Sequence, residues 1–248
     1  MSTGAWTRSD LQDRSYAQAD VTVSMDRLSE CEDLKLIVKD VAAHEKAARL
    51  LHVGHGCSSL PEHLYDEGYT SIVSIDSQST ARVDRGLRRG ADRLEAIPLM
   101  RARNRERLGM TWLEMDATDM AFTDGSFDVV VDNGMLDRLI CAGTSPMLAG
   151  AYLGETVRVL AAGGAFVCAS LHPPEITMMW LEPHQFSITV VTIAASLAGN
   201  RGTHAYVCSK GECNLDAQHQ SLCLRREARS GAMSCEMVCQ SGTSNHSP

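Results

Sequence analysis

The sequence predicts an α/β fold: a mostly parallel sheet of seven strands with helices on both faces. Two observations lead to it. Short, almost uninterrupted apolar runs, "LLHV", "SIVSID" and "FDVVVD", have the length and β-branched content of strands buried on both faces. Between them lie stretches with helical spacing of apolar residues. Strand thus alternates with helix, the pattern of parallel sheets joined by crossovers.

Taken in order, residues 1–24 are polar, lack a clear period and read as a flexible N-terminal segment. From Met25 to Val41, apolar residues at Leu28, Cys31, Leu34, Ile37, Val38 and Val41 mark one face of a helix. Residues 47–53 read as the first strand, ending at Gly54. Ser58 or Ser59 is placed to cap a short helix through Leu64, which Gly68 terminates. Residues 70–76 form the second strand, ended by Asp76. Residues 82–107 carry nine arginines against four acids. They read as a solvated helical face, because no aromatic residues interleave to stack on bases.

"MTWLEMDATDM" supplies the third strand, ending near Asp116. Residues 127–131 supply the fourth, cut off by Asp132-Asn133-Gly134. A helix over 146–160 ends at Gly163-Gly164, and "AFVCASL" is the fifth strand. Residues 186–193 and 204–209 pair as a hairpin. From Lys210 the chain is rich in Ser, Cys and Gly without an apolar period. The domain therefore covers 25–210, and 211–248 is a disordered tail.

With 248 residues, 44% of them hydrophobic, the chain can bury one sizeable core. A net charge of −8 points away from nucleic acid as a partner. "MSTGAWTRSDLQDRSYAQAD" has no apolar core and carries early acids, unlike a signal peptide. The longest nearly uncharged apolar stretch, Phe186 to Gly199, is too short to span a bilayer. Together these describe a soluble, cytoplasmic protein with no membrane partner. Of nine cysteines, Cys31, Cys57, Cys141 and Cys168 stand singly in apolar context, where a thiol behaves as a small hydrophobe. Cys208, Cys213, Cys223, Cys235 and Cys239 crowd the C-terminal end with His219. No C-x-x-C pair occurs, so no metal is assigned.

Function enters through the ends of the strands. Gly54-His55-Gly56 followed by Ser59 gives G-x-G-x-x-S, which lacks the third glycine of a dinucleotide fingerprint. Asp76 lies 22 residues beyond Gly54, placed to accept hydrogen bonds from ribose hydroxyls. The pairing suits an adenosine-containing ligand and fits a nicotinamide dinucleotide less well. Asp116 and Asp132 also lie just past strand ends, where parallel sheets bind ligands.

On "VGHGCSSLPEHLYDEGYTSIVSID", "WLEMDATDMAFTDGSFDVVVDNGMLD" and "VRVLAAGGAFVCASL" the chain resembles the class I S-adenosylmethionine-dependent methyltransferases, of the type 11 domain. More narrowly, it resembles the methyltransferase-like family whose members methylate elongation factor 1-alpha. The resemblance implies a Rossmann-like fold, S-adenosylmethionine as cofactor and a protein lysine as acceptor, with a translation elongation factor as partner. It implies that Gly54, His55, Gly56 and Ser58 line the cofactor from the first loop. Asp76 and Ser77 would hold the ribose, and Asp116 with Ala117 would face the adenine. Asp132 would close the pocket near the methyl, and Asp132 with Asn133 would orient the acceptor. Four positions depart from the family pattern: His55 stands for cysteine, Cys57 for asparagine, Asn133 for lysine and Met135 for threonine. Methyl transfer to a small molecule or RNA, and a catalytically silent cofactor-binding scaffold, share the same cofactor residues and stay open.

Overall fold

The computed structural model describes residues 32–56, 58–77, 96–141, 146–193, 203–211 and 235–236. The described elements are α1 (Glu32–Val41), β1 (Leu50–Val53), α2 (Leu60–Asp66), β2 (Ile72–Asp76), α3 (Ala96–Arg103), β3 (Met110–Glu114), β4 (Phe127–Asn133), α4 (Met135–Cys141), α5 (Pro146–Val159), β5 (Leu160–Ser170), α6 (Pro174–Leu181), β6 (Ser187–Ile193), β7 (Thr203–Ser209) and β8 (Cys235–Glu236). The sheet runs in the order β3-β2-β1-β4-β5-β7-β6-β8. The five strands β3 to β5 are mutually parallel, and β7 returns antiparallel between β5 and β6. The expected seven strands, hairpin included, are all present, and the two-residue β8 adds to them by pairing with β6. Apart from Cys235–Glu236 and Gly211, the expected C-terminal tail lies outside the described residues, as does the N-terminal segment.

Alternation along each strand sends side chains to two cores. Leu34, Ile37 and Val38 of α1, Leu60 and Leu64 of α2, and Ile97 and Met100 of α3 cover one face, over Leu50, Ile72, Met110, Val131, Val167 and Val207. Leu136 of α4, Tyr152 and Leu153 of α5, and Leu181 of α6 cover the other, over Leu51, Val53, Ile75, Val130, Phe166 and Tyr206. The sheet is thereby enclosed on both faces, which is why its strands are continuous apolar runs. The helical stripe of α1 is described from Glu32 onward. Its expected first turns, 25–31, lie outside the described residues.

Two local readings are corrected. The helix over 146–160 ends at Val159, and Gly163-Gly164 lie inside β5 rather than after the helix. The stop comes from tertiary structure: the Lys210 ammonium donates to the carbonyls of Val157 (2.7 Å) and Leu160 (2.6 Å), neutralising the helix end. The register along β5 then jumps from Leu160 to Ala165 opposite Phe127 and Val129. After β5, Pro173 caps α6 and Pro174 sits in its first turn, where no amide is needed. The arginine-rich stretch is only partly a solvated face. Its described part forms α3 and the turn after it, where Arg103 pairs with Glu62, Arg107 with Asp66, and Arg101 donates to the Trp112 carbonyl. Residues 82–95 lie outside the described residues.

Gly109 shows how tightly the β2–β3 junction closes. A Cβ there would lie 2.1 Å from the Thr70 carbonyl oxygen and 2.9 Å from its carbon. The Gly109 carbonyl accepts the Ile72 N–H that opens β2, so the backbone cannot retreat without losing that bond. Gly109→Ala is expected to destabilise the domain by about 1–3 kcal/mol, the usual cost of overpacking. Urea unfolding checks it, and a melt unchanged from wild type would refute the close approach.

Candidate cofactor and acceptor site

The strand order reverses at β1, whose neighbours are β2 and β4, so a crevice opens beyond its carboxyl end. The loop after β1 fills one wall. Gly54 and Gly56 sit at φ +65° and +49°, a left-handed region that costs glycine little. The Gly54 N–H donates to the Ile75 carbonyl at 2.9 Å. The Gly56 N–H donates to Asp76 Oδ2 at 2.8 Å. The strand-end acid thus holds the loop in addition to lying at the lip of the crevice.

A cleft here is lined by Gly54, Ile75, Asp76, Ser77, Met115, Ala117 and Met135. Its walls are apolar except for the carboxylate and hydroxyl at the end of β2, which suits a flat purine edge beside a ribose diol. A larger hollow of about 330 Å³ lies elsewhere, on the outer edge strand β3 between Arg101, Arg105 and Leu113. The smaller cleft has the chemistry; the larger lies off the switch point.

Of the residues expected to hold the cofactor, the cleft brings together Gly54, Asp76, Ser77 and Ala117. Asp116 stands at its edge. Its Oδ1 accepts the Thr118 N–H and hydroxyl, both at 2.8 Å, which fixes the turn that presents Ala117. Ser58 is buried, and its hydroxyl accepts the Leu60 N–H at 3.3 Å, serving α2. His55 is turned away from the cleft. Its ring is buried edge-on to Trp112, with centroids 4.7 Å apart, and Nδ1 lies 2.6 Å from the Gly56 carbonyl. Burial pushes its pKa down, so the ring stays neutral. Ile75, Met115 and Met135 line the cleft without having been expected to. Their signal in the sequence was position alone, one residue from an expected strand-end acid or from Gly134.

Asp132 and Asn133 separate at the end of β4. Asp132 is fully buried. Its Oδ1 accepts the Met135 N–H (2.5 Å), and its Oδ2 accepts the Leu136 N–H (2.9 Å) and the Tyr152 hydroxyl (2.9 Å). This places Asp132 otherwise than expected, since a carboxylate with no exposed surface and three internal donors is closed off from an incoming amine. Burial outweighs these donors and pushes its pKa up to about 7. Asn133 takes the opposite face of the sheet, opposite Ala169. It is 9% exposed, and its Oδ1 has no partner among the described residues. Asp137, one turn along α4, accepts the Ser170 hydroxyl (2.5 Å) and the Leu171 N–H (2.7 Å), joining α4 to the turn before α6. Among the described residues no group of three or more His, Cys, Asp or Glu is placed to hold a metal ion. None of the described helices is long and apolar enough to cross a membrane.

A central switch point, a glycine loop tied to a strand-end acid and an apolar cleft beside them are the features on which a class I, Rossmann-like, S-adenosylmethionine-dependent methyltransferase domain is built. Residues 51–168, just under half of the chain, match the family described as methyltransferase domain. Among curated proteins, the chain is 35% identical over 135 residues to the eEF1A lysine and N-terminal methyltransferase of Danio rerio, covering 54% of this chain and 17% of that one. It is 36% identical over 126 residues to the human protein of that name, covering 50% and 16%. The chain thus spans less than a fifth of the length of these relatives. It is 28% identical to EEF1A lysine methyltransferase 4 of Bos taurus over 145 residues, covering 55% and 51%. Among solved structures it matches the 1,6-didemethyltoxoflavin-N1-methyltransferase of Burkholderia thailandensis, with bound S-adenosylhomocysteine, at a TM-score of 0.57 and 14% identity. That match covers 86% of this chain and 94% of the other. An Aquifex aeolicus S-adenosylmethionine-dependent methyltransferase matches at 0.53 and 12% identity over 84% and 100%. At those identities the likeness is one of fold.

Proposed function

We propose that the domain methylates an amine on a protein, a lysine side chain first, with a translation elongation factor as the partner and the cytoplasm as the compartment. The relatives' names supply the substrate class, and Asn133 is the observation in this chain that supports it. At the end of β4, on the face of the sheet opposite Asp132, it offers a nearly buried side-chain carbonyl oxygen with no partner among the described residues, an acceptor for an N–H donor. S-adenosylmethionine, when bound, supplies the electrophilic methyl group. Gly54, Gly56, Asp76, Ser77 and Ala117 bind and orient the cofactor, and Ile75, Met115 and Met135 exclude water from its ring.

A second reading is favoured by the engagement of Asp132. With that carboxylate consumed internally, the acceptor meets a neutral amide. Neutralising a lysine near pH 7.4 costs about 4 kcal/mol, whereas a terminal α-amine costs under about 1 kcal/mol. A site without a carboxylate to compensate suits the α-amine better.

Two peptides separate the readings, one with an internal lysine and a blocked N-terminus, the other lysine-free with a free N-terminus. Labelled methyl on either supports amine transfer and says which. Label on neither peptide nor on any protein of a cytosolic extract would remove the proposal. Asn133→Ala is expected to reduce turnover about tenfold with S-adenosylhomocysteine affinity unchanged, the loss of one hydrogen bond. Equal losses in both would withdraw Asn133 from acceptor binding.

A further inference from the structure

We propose that Tyr152 and Asp132 form a buried clamp that holds the start of α4, and with it Met135, against the glycine loop. Tyr152, outside the cleft and 20 residues along the chain, is then a positioning residue for cofactor binding. The inference rests on the reading of the Gly54–Met135 cleft as the cofactor site.

The contacts run in one continuous line. Asp132 is the register partner of Val53 on β1 and of Cys168 on β5, so its carboxylate sits under the end of the strand that carries Gly54. It binds the first two amides of α4, those of Met135 and Leu136. Met135 then packs on the loop with no slack. A Cβ at Gly54 would lie 3.0 Å from Met135 Cβ and 3.1 Å from its sulfur. Met135 also lines the cleft. A shift of the carboxylate therefore moves a wall of the cofactor site.

Tyr152 fixes the carboxylate from the far side. Its ring is fully buried and edge-on to Phe166, at 6.3 Å between centroids and 83° between planes. Its backbone carbonyl accepts the Thr156 hydroxyl at 2.9 Å, so the residue is held at both ends. The phenol then has one geometry in which to donate, the 2.9 Å bond to Asp132 Oδ2.

A purely structural hydrogen bond would not give cofactor binding a pH dependence; this clamp does. Protonating Asp132 turns one acceptor oxygen into a donor, and one of the three donors loses its partner. The titratable groups that face it are Tyr152 from α5, Cys168 from β5 and Asp137 on α4 itself. Burial raises the phenol and the thiol far from neutrality, so both stay uncharged. It raises Asp132 to about 7 while the Tyr152 hydroxyl holds it down. Removing the phenol donor moves that titration upward.

The test is S-adenosylhomocysteine affinity by calorimetry from pH 5.5 to 8.5, on wild type, Tyr152→Phe and Asp132→Asn, with thermal melts alongside. Wild type is expected to bind more weakly below about pH 7. Tyr152→Phe should bind about tenfold more weakly at pH 7.5, with its midpoint displaced to higher pH. Asp132→Asn, which still accepts hydrogen bonds but does not ionise, should lose the inflection. Tyr152→Phe with wild-type affinity and midpoint, whatever its melt, would overturn the clamp, and so would an inflection that survives in Asp132→Asn. Wild type that binds at no pH would sink the cofactor reading instead.

Discussion

Replacing Asp76 with alanine is expected to weaken S-adenosylhomocysteine binding about ten- to a hundredfold while the domain stays folded. Asp76 ends β2 at the lip of the cleft, and hydrogen bonds to an ionised carboxylate are each worth about 1.5–3 kcal/mol. The structure adds a second contribution. One carboxylate oxygen also holds the Gly56 N–H, so the alanine variant frees the loop that forms the opposite wall. The fold should survive, because Asp76 is only partly buried and its neighbour Ile75 carries the packing. Asp76→Asn, which keeps an acceptor for Gly56 and loses the charge, should fall between. Calorimetry with a thermal melt measures both, and unchanged affinity in a folded Asp76→Ala protein would dismiss the ribose assignment.

His52→Leu is expected to stabilise the domain, and increasingly so in acid. His52 sits mid-strand in β1, in register with Ser74 of β2 and Val131 of β4, and is 3% exposed. Neither ring nitrogen has a partner among the described residues, so an apolar side chain of similar size should gain about 1–3 kcal/mol at neutral pH. Burial depresses its pKa to about 3. Below the ordinary value near 6.5 the unfolded chain therefore takes up a proton that the folded chain refuses. Stability from His52 is complete above that value and is lost as pH falls toward 3. The gap between His52→Leu and wild type should widen by about 1.4 kcal/mol per pH unit below 6.5.

Asp132 titrates with the opposite sign. Its raised pKa means the folded state keeps a proton that the unfolded chain releases, so its contribution is present below about 4 and is lost as pH rises through 7. In wild type the two oppose each other over the shared window; in His52→Leu the Asp132 slope stands with less opposition. Urea unfolding from pH 4.5 to 7.5 measures this. A variant less stable than wild type at pH 7, or a gap that does not grow in acid, would count against the burial argument.

Local sequence determined the parts that depend on which face of an element is buried. Runs such as "LLHV" and "FDVVVD" are apolar at successive positions because both faces of the sheet are covered, and that is visible residue by residue. The same runs end where glycine or an acid begins, so Gly54 and Asp76 were legible as candidate site residues from position alone. Ala117 was named only through the family resemblance, and the structure places all three in one cleft.

What the tertiary structure decided is register and long-range pairing, which no local pattern records. The end of α5 depends on Lys210, fifty residues on, reaching back to its carbonyls. His55 follows a strand like a cofactor-loop residue, yet packs against Trp112 because the neighbouring strands put that ring beside it. Asp132 and Asn133 are adjacent in sequence and look equivalent. The pleat sends one to the Tyr152 face and the other to the opposite face, and that alternation separates a carboxylate consumed inside the protein from an amide that is not.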